Sequence, residues 1–207
     1  MSAIEIRARE RPAAGEPAGT LVLLHGRGAD ENDLFPLLDA FDPERRLFGV
    51  CPRGPLSLPP GGAHWYELAG IPTPDPVTFW PTFEALAARV DALPGPLVLG
   101  GFSQGAVMSY ALTLARGRPR PAALLAFSGF LPELEGLELD FSGLQGFPAL
   151  IAHGTLDPVI PVEWSRQARA AFAEAGAAVV YREAPLPHAI DPRAVDDARA
   201  LVARIAQ

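Results

Sequence analysis

The chain of 207 residues reads as an α/β protein, a mostly parallel central sheet with helices on both faces. Three observations predict it. Apolar runs recur at residues 20–24, 47–51, 97–101, 122–127 and 149–152, each too short for a helix, as in buried strands, and a last strand is expected at 178–182. Helical stretches alternate with these runs, which is the pattern of right-handed crossovers between parallel strands. Every polar cluster of chemical interest falls just after one of the runs, and ligand sites of open parallel sheets lie beyond the carboxyl ends of their strands.

The elements follow in order. Residues 4–9 alternate weakly and suit an edge strand. The run at 20–24 ends in His25-Gly26-Arg27-Gly28-Ala29-Asp30, a glycine-rich turn before a helical pattern of Leu34, Leu37, Leu38 and Phe41. The run at 47–51 is stopped by Pro52-Arg53-Gly54-Pro55, and residues 52–76 form a long Pro- and Gly-rich loop carrying His64, Trp65 and Tyr66. Residues 79–93 read as an amphipathic helix. The central run, 97–101, leads through Gly101-Phe102-Ser103-Gln104-Gly105 into a small-residue helix. Residues 131–147 show no clear period. Helices are expected from Glu163 to a stop at Gly176 and from Pro192 to Ile205, with Asp191 as the cap of the second. No repeat or linker divides the chain, so one domain spanning 1–207 is expected, large enough to bury about 70% of its unfolded surface.

Composition narrows the function classes. A content of 49% hydrophobic and 20% charged residues suits a globular chain, and a net charge of −7 argues against nucleic acid or an anionic membrane surface as the main partner. All 17 basic residues are arginine, which removes a lysine Schiff base from consideration. Cys51 stands alone, so neither an intrachain disulfide nor a thiolate metal cluster can form. Residues 1–7 lack the apolar core of a signal peptide and no apolar run approaches membrane-spanning length, so a cytoplasmic protein without stable membrane insertion is expected.

Gly-x-Ser-x-Gly between a strand and a helix is the pattern of a sharp turn that exposes a serine hydroxyl. The glycines leave room where side chains would meet the neighbouring strand and helix. A serine hydroxyl is a poor nucleophile near neutral pH and needs a base, usually a histidine oriented by a carboxylate. Of the four histidines, His25 and His153 each precede a glycine in a strand-end turn and read as side chains bonded to their own loops. His64, in the long loop, either lines a pocket or is solvated. His188 follows the last strand, which gives the chain order serine, acid, histidine. Asp157, between Leu156 and Pro158 after the penultimate strand, is the acid of choice; Asp191 is too near His188 in sequence, and Glu183 sits in or beside a strand. The backbone amides of Arg27 and Gln104 are the candidate oxyanion donors. For the Arg27 side chain there are two readings, binding an acidic group of the substrate or holding the loop, and the second is favoured.

These stretches, with Ser128-Gly129-Phe130 and His153-Gly154-Thr155-Leu156-Asp157-Pro158-Val159-Ile160-Pro161, resemble the small carboxylesterase/phospholipase family of α/β-hydrolases, which includes acyl-protein thioesterases and lysophospholipases. The resemblance implies an α/β-hydrolase fold without a large cap domain, Ser103 as nucleophile, Asp157 as acid, His188 as base, and oxyanion amides at Arg27 and Gln104. It departs at Pro187, where the family usually has glycine, and at Arg27, where thioesterase members commonly have leucine.

The expected activity is hydrolysis of short- to medium-chain acyl esters through an acyl-enzyme on Ser103, with no metal or cofactor. The partner is then a small acyl ester, and a homodimer is expected from the resemblance alone. Apolar side chains outside the strands suggest an acyl pocket: Trp65, Phe79 and Trp80 on one side, Phe130, Leu131, Leu134 and Leu137 on the other. The alternatives are a thioesterase or lysophospholipase for longer acyl chains, or a hydrolase-fold protein that only binds a ligand. A dienelactone-hydrolase-like enzyme is disfavoured because such enzymes carry cysteine where Ser103 stands.

Overall fold

The computed structural model describes residues 4–207. The first three residues of the stretch read for a targeting signal lie outside that range. Along the chain run β1 (Ala8–Arg11), β2 (Thr20–Leu24), α1 (Phe35–Phe41), β3 (Phe48–Pro52), β4 (Leu56–Leu58), β5 (Gly62–His64), α2 (Pro76–Asp91), β6 (Leu97–Phe102), α3 (Gln104–Leu114), β7 (Ala123–Phe127), β8 (Pro148–Gly154), α4 (Glu163–Glu174), β9 (Ala178–Ala184) and α5 (Pro192–Ile205). Seven strands make one sheet in the order β1-β3-β2-β6-β7-β8-β9, all neighbours parallel except β1, which pairs antiparallel with β3. The mostly parallel sheet expected from the apolar runs is present, and no insertion builds a large cap domain among the described residues.

The sheet is covered on both faces because successive strand residues point opposite ways. In β2, Leu21 and Leu23 join the layer of α1 and α5 with Leu38, Phe41, Leu201 and Val202. Val22 and Leu24 face the other side, where α2 and α3 contribute Phe79, Leu86, Val107 and Ala111. A third cluster packs α4 through Phe172 against α3 and β7–β8. The long loop differs from its expected form: β4 and β5 pair as a small antiparallel hairpin. The remaining differences are element ends displaced by a few residues, such as α2 starting at Pro76 behind the Asp75 cap. The edge strand is shorter and later than expected, Ala8–Arg11 rather than 4–9.

This topology positions the site. From β2 the chain goes first to β3 on one side, then returns to β6 on the other, so strand order reverses between β2 and β6. A crevice opens beyond the carboxyl ends of strands at such a point. The turn after β2 carries His25 to Gly28, and the turn after β6 carries Ser103.

Candidate active site

Ser103 stands between β6 and α3 with φ 56° and ψ −121°. A non-glycine residue with positive φ is strained and persists only where its surroundings hold it. Here the Ser103 N–H donates to the Phe127 carbonyl at 2.9 Å, and its own carbonyl accepts from Ala106 and Val107 in the first turn of α3. The flanking glycines are steric requirements. A Cβ at Gly105 would lie 1.9 Å from the Leu24 carbonyl oxygen, and one at Gly101 would come within 2.4 Å of Gly105.

His188 Nδ1 donates to Asp157 Oδ2 at 2.5 Å, and the imidazole ring packs against Phe102, the neighbour of Ser103, with ring centroids 4.6 Å apart. Pro187 is accommodated there. The Leu156 N–H donates to the Leu186 carbonyl and the Thr155 N–H to that of Ala184, so the histidine loop is laced to the acid loop by backbone. Gly154 permits the contact, since a Cβ there would lie 2.2 Å from the Leu186 carbonyl.

The Asp157 carboxylate is wholly buried and has donors on both oxygens. Oδ1 accepts from the backbone N–H groups of Val159 and Ile160, at 2.8 and 2.9 Å. Oδ2 accepts from His188 and lies 3.2 Å from His153 Nε2. Burial by itself would raise the carboxyl pKa; the bonds from His188, Ile160 and Val159 outweigh it and hold the group below its ordinary value. His153 therefore does more than bond to its own loop. Its Nε2–H donates to the Ile160 carbonyl at 2.8 Å and also faces Asp157, while Nδ1 takes the Ser165 hydroxyl. Burial pushes its pKa down, so the ring is kept neutral.

His25 keeps to its loop and also reaches further. Its Nδ1–H donates to the Gly26 carbonyl and Nε2 accepts from the Gly54 N–H at 2.9 Å, tying the turn after β2 to the Pro52-Arg53-Gly54-Pro55 turn. Burial lowers its pKa as well. His64 neither lines the cavity nor is solvated: it is buried, with Nδ1 3.2 Å from the Tyr66 carbonyl. Cys51 is buried in β3, and burial pushes its thiol up to about 12, far from a reactive thiolate.

The amides of Arg27 and Gln104 have no acceptor among the described residues. Both sit beside Ser103, and both backbones are held from outside. The Gly28 N–H donates to the Ala63 carbonyl and the Ala63 N–H returns to Ala29, pinning the Arg27 turn to β5. The Gln104 side chain accepts from the Trp65 N–H and donates to the Tyr66 carbonyl, clipping the long loop to the start of α3.

A cavity of about 180 Å³ opens at Ser103 and Gln104, lined by Tyr66, Phe130 and Ile160 within and by Leu68, Ile71 and Val159 at its exposed edge. Arg27 lines it too. Of the expected acyl-pocket residues Phe130 alone lines it. Trp65 is fully buried behind the site, with Nε1–H donating to the His25 carbonyl at 2.8 Å. Phe79 faces the core from α2, stacked on Phe83. Trp80 packs edge-on to Phe79 and Phe83, and Leu131 joins the α4 layer. Leu134 and Leu137 pack on the α2 side of the core. The physical reason is burial: α2 turns Phe79 and Trp80 toward the core, and these large apolar side chains are more stable filling the interior than lining an open cleft. Leu68, Ile71, Val159 and Ile160 line the cavity without having been assigned to it from sequence, and the apolar pair directly after Asp157-Pro158 is the signal that points to the last two.

Among the described residues no three His, Cys, Asp or Glu side chains converge as a metal-binding group, and no helix is long and apolar enough to cross a membrane.

The Phospholipase/Carboxylesterase family matches residues 83–205. Acyl-protein thioesterase 1 of Candida albicans is 29% identical over 191 residues, covering 80% of this chain and 82% of its own length. Among solved structures, esterase PE8 superposes with a TM-score of 0.78 at 27% identity, over 98% of this chain and all of the other. The Bacillus cereus carboxylesterase superposes with a TM-score of 0.82 at 21% identity, over 97% and 94%, and that likeness speaks for the fold. With the serine turn, the buried acid and the sheet order already in place, the chain belongs to the phospholipase/carboxylesterase family of α/β-hydrolases and is a hydrolytic esterase or thioesterase.

Proposed function

We propose that the chain is a serine carboxylesterase for short- to medium-chain acyl esters, working through an acyl-enzyme on Ser103. The observation that carries this reading is the His188–Asp157 pair at 2.5 Å, its ring seated on Phe102 beside the strained Ser103. In this reading the ester carbonyl oxygen points at the Arg27 and Gln104 amides. Ser103 Oγ attacks the carbonyl carbon as His188 Nε2 takes its proton, and Asp157 stabilises the imidazolium from the Nδ1 side. The tetrahedral oxyanion is held by the two amides. It collapses as the alcohol leaves with the proton from His188, giving the acyl-serine. Water then attacks by the same route, with His188 again accepting a proton, and releases the acid.

The short-chain preference rests on the cavity, which at about 180 Å³ lies below the roughly 300–1,000 Å³ of sites for drug-sized ligands. A second reading, a thioesterase or lysophospholipase for longer chains, draws on the named thioesterase relative and on the exposed Leu68, Ile71 and Val159, over which a longer chain could extend. Initial rates on p-nitrophenyl esters of increasing acyl length separate the two. The carboxylesterase reading expects a maximum at short chains and a loss of about 10⁴-fold or more in Ser103→Ala. A maximum at long chains favours the second reading. Equal rates for both proteins would remove Ser103 from the mechanism.

A further inference from the structure

The arginines of this chain are mostly engaged. Arg11, Arg53, Arg166 and Arg182 pair with carboxylates, Arg120 donates to backbone carbonyls, and Arg9 and Arg169 lie over aromatic rings. Arg27 is different. Its side chain is exposed and makes no hydrogen bond, ion pair or ring contact among the described residues. It therefore does not hold its loop, contrary to the reading favoured from sequence. The loop is held by the backbone exchange between Gly28, Ala29 and Ala63, and by His25 bonded to Gly54.

What Arg27 does is line the cavity at Ser103, where it is the sole charged side chain in a largely apolar wall. An unpaired guanidinium beside apolar surface is a poor match for a wholly hydrocarbon substrate. It is a good match for a carboxylate, which it can take in a bidentate pair as water leaves the cleft. The overall charge of −7 disfavours anions at long range, so attraction of an anion here has to be local.

We propose that Arg27 is a specificity-determining residue for anionic esters, its guanidinium binding a carboxylate or similar anion a few bonds from the carbonyl that Ser103 attacks. This rests on the reading of Ser103 as the nucleophile. The anion belongs to either half of the substrate: the acyl half, as in a dicarboxylic acid monoester, or the alcohol half, as in an ester of a hydroxy acid.

The test is a set of matched alkyl esters followed by acid release: ethyl pentanoate against monoethyl glutarate for the acyl half, and ethyl butyrate against carboxymethyl butyrate for the alcohol half. The quantity compared is the ratio of kcat/KM, anionic to neutral, because a disturbance of the Arg27 amide affects both members of a pair alike. For the half that carries the anion, Arg27→Gln is expected to lower the ratio about tenfold and Arg27→Glu to lower it further, while Arg27→Lys retains part of it. The wild-type ratio should also fall as salt is raised, as an ionic contact requires. The pair whose ratio responds identifies the half that Arg27 reads. Ratios unchanged by Arg27→Gln and Arg27→Glu in both pairs would overturn the proposal, whatever the absolute rates of the variants. Failure to hydrolyse any of the four would instead bring down the esterase reading on which it rests.

Discussion

Asp157 accepts backbone donors on one oxygen and faces two histidines on the other, and the two histidines are not equivalent. His188 is partly open to solvent and packed on Phe102, the residue before Ser103 in the chain, whereas the His153 side chain is wholly buried and bound to Ile160 and Ser165. His153 does not line the cavity, and in the proposed mechanism it is a positioning residue that acts through the carboxylate. Replacing it with alanine removes one donor from Asp157, which then attracts protons more strongly. We expect kcat to fall about tenfold with KM little changed, and the acid limb of the pH–rate profile to move to higher pH. His153→Gln, which keeps an N–H donor, should recover part of the rate. A loss of thermal stability with an unmoved pH profile would assign His153 a purely structural role.

At the scale of elements, the turn from β6 to α3 is the least tolerant part of the chain. Gly105→Ala would place a methyl group 1.9 Å from the Leu24 carbonyl oxygen, so β2 and α3 must move apart. Overpacking of this kind costs about 1–3 kcal/mol, or a Tm lower by roughly 2–12 °C for a chain this long. Thermal denaturation checks it, and a Gly105→Ala protein as stable as the wild type would show that the turn has more slack than its contacts imply. Elements also show where sequence reading succeeds. β2, β6, β7 and β8 are buried on both faces, so their apolar runs carry no ambiguity. β4 and β5 span three residues each and are part exposed, with Pro59 and Pro60 between them, and nothing in so short a pattern separates a hairpin from a loop. The spacing of Phe79, Phe83, Leu86 and Val90 marks one helix face, and that face turns Phe79 into the core and away from the acyl pocket to which it was assigned from sequence. The ion pair of Arg11 with Asp42 was invisible because it joins residues far apart in the chain, and Arg11 is buried only once β1 closes over α1.

For the molecule as a whole, buried histidines make folding stability depend on pH. His25 and His153 both have pKa values lowered by burial, from an ordinary value near 6.5. Below that value the unfolded chain takes up protons that the folded protein refuses, so stability is lost as pH falls below about 6.5 and is fully present above it. Asp157 acts the same way in a lower window: its depressed pKa contributes stability that disappears as pH falls through the folded value, below its ordinary 3.8. Tm measured from about pH 8 down to about pH 5 should decline below pH 6.5, and His25→Gln should flatten the decline while lowering the plateau. A flat profile over that range would contradict the neutral, buried state of both rings. At the same scale, the turns that carry Ser103, Asp157 and His188 are legible in the sequence and the cavity wall is not. Ser103, Asp157 and His188 each lie in a turn at the end of a strand, a position the alternation of strands and helices marks directly. The cavity wall is assembled from side chains of separate loops, Leu68 and Ile71 with Phe130 and Val159, whose meeting depends on how those loops fold back.

Acylation of Ser103 is the step on which the proposed mechanism depends, and covalent labelling reports on it. The protein is treated with an organophosphonate that mimics the tetrahedral intermediate, and the modified peptide is mapped by mass spectrometry alongside Ser103→Ala and Asp157→Asn. One adduct per chain is expected on Ser103, none in Ser103→Ala, and labelling of Asp157→Asn slowed by about 10³-fold or more. An adduct on another residue, or none on a folded wild-type protein that still hydrolyses esters, would contradict that step.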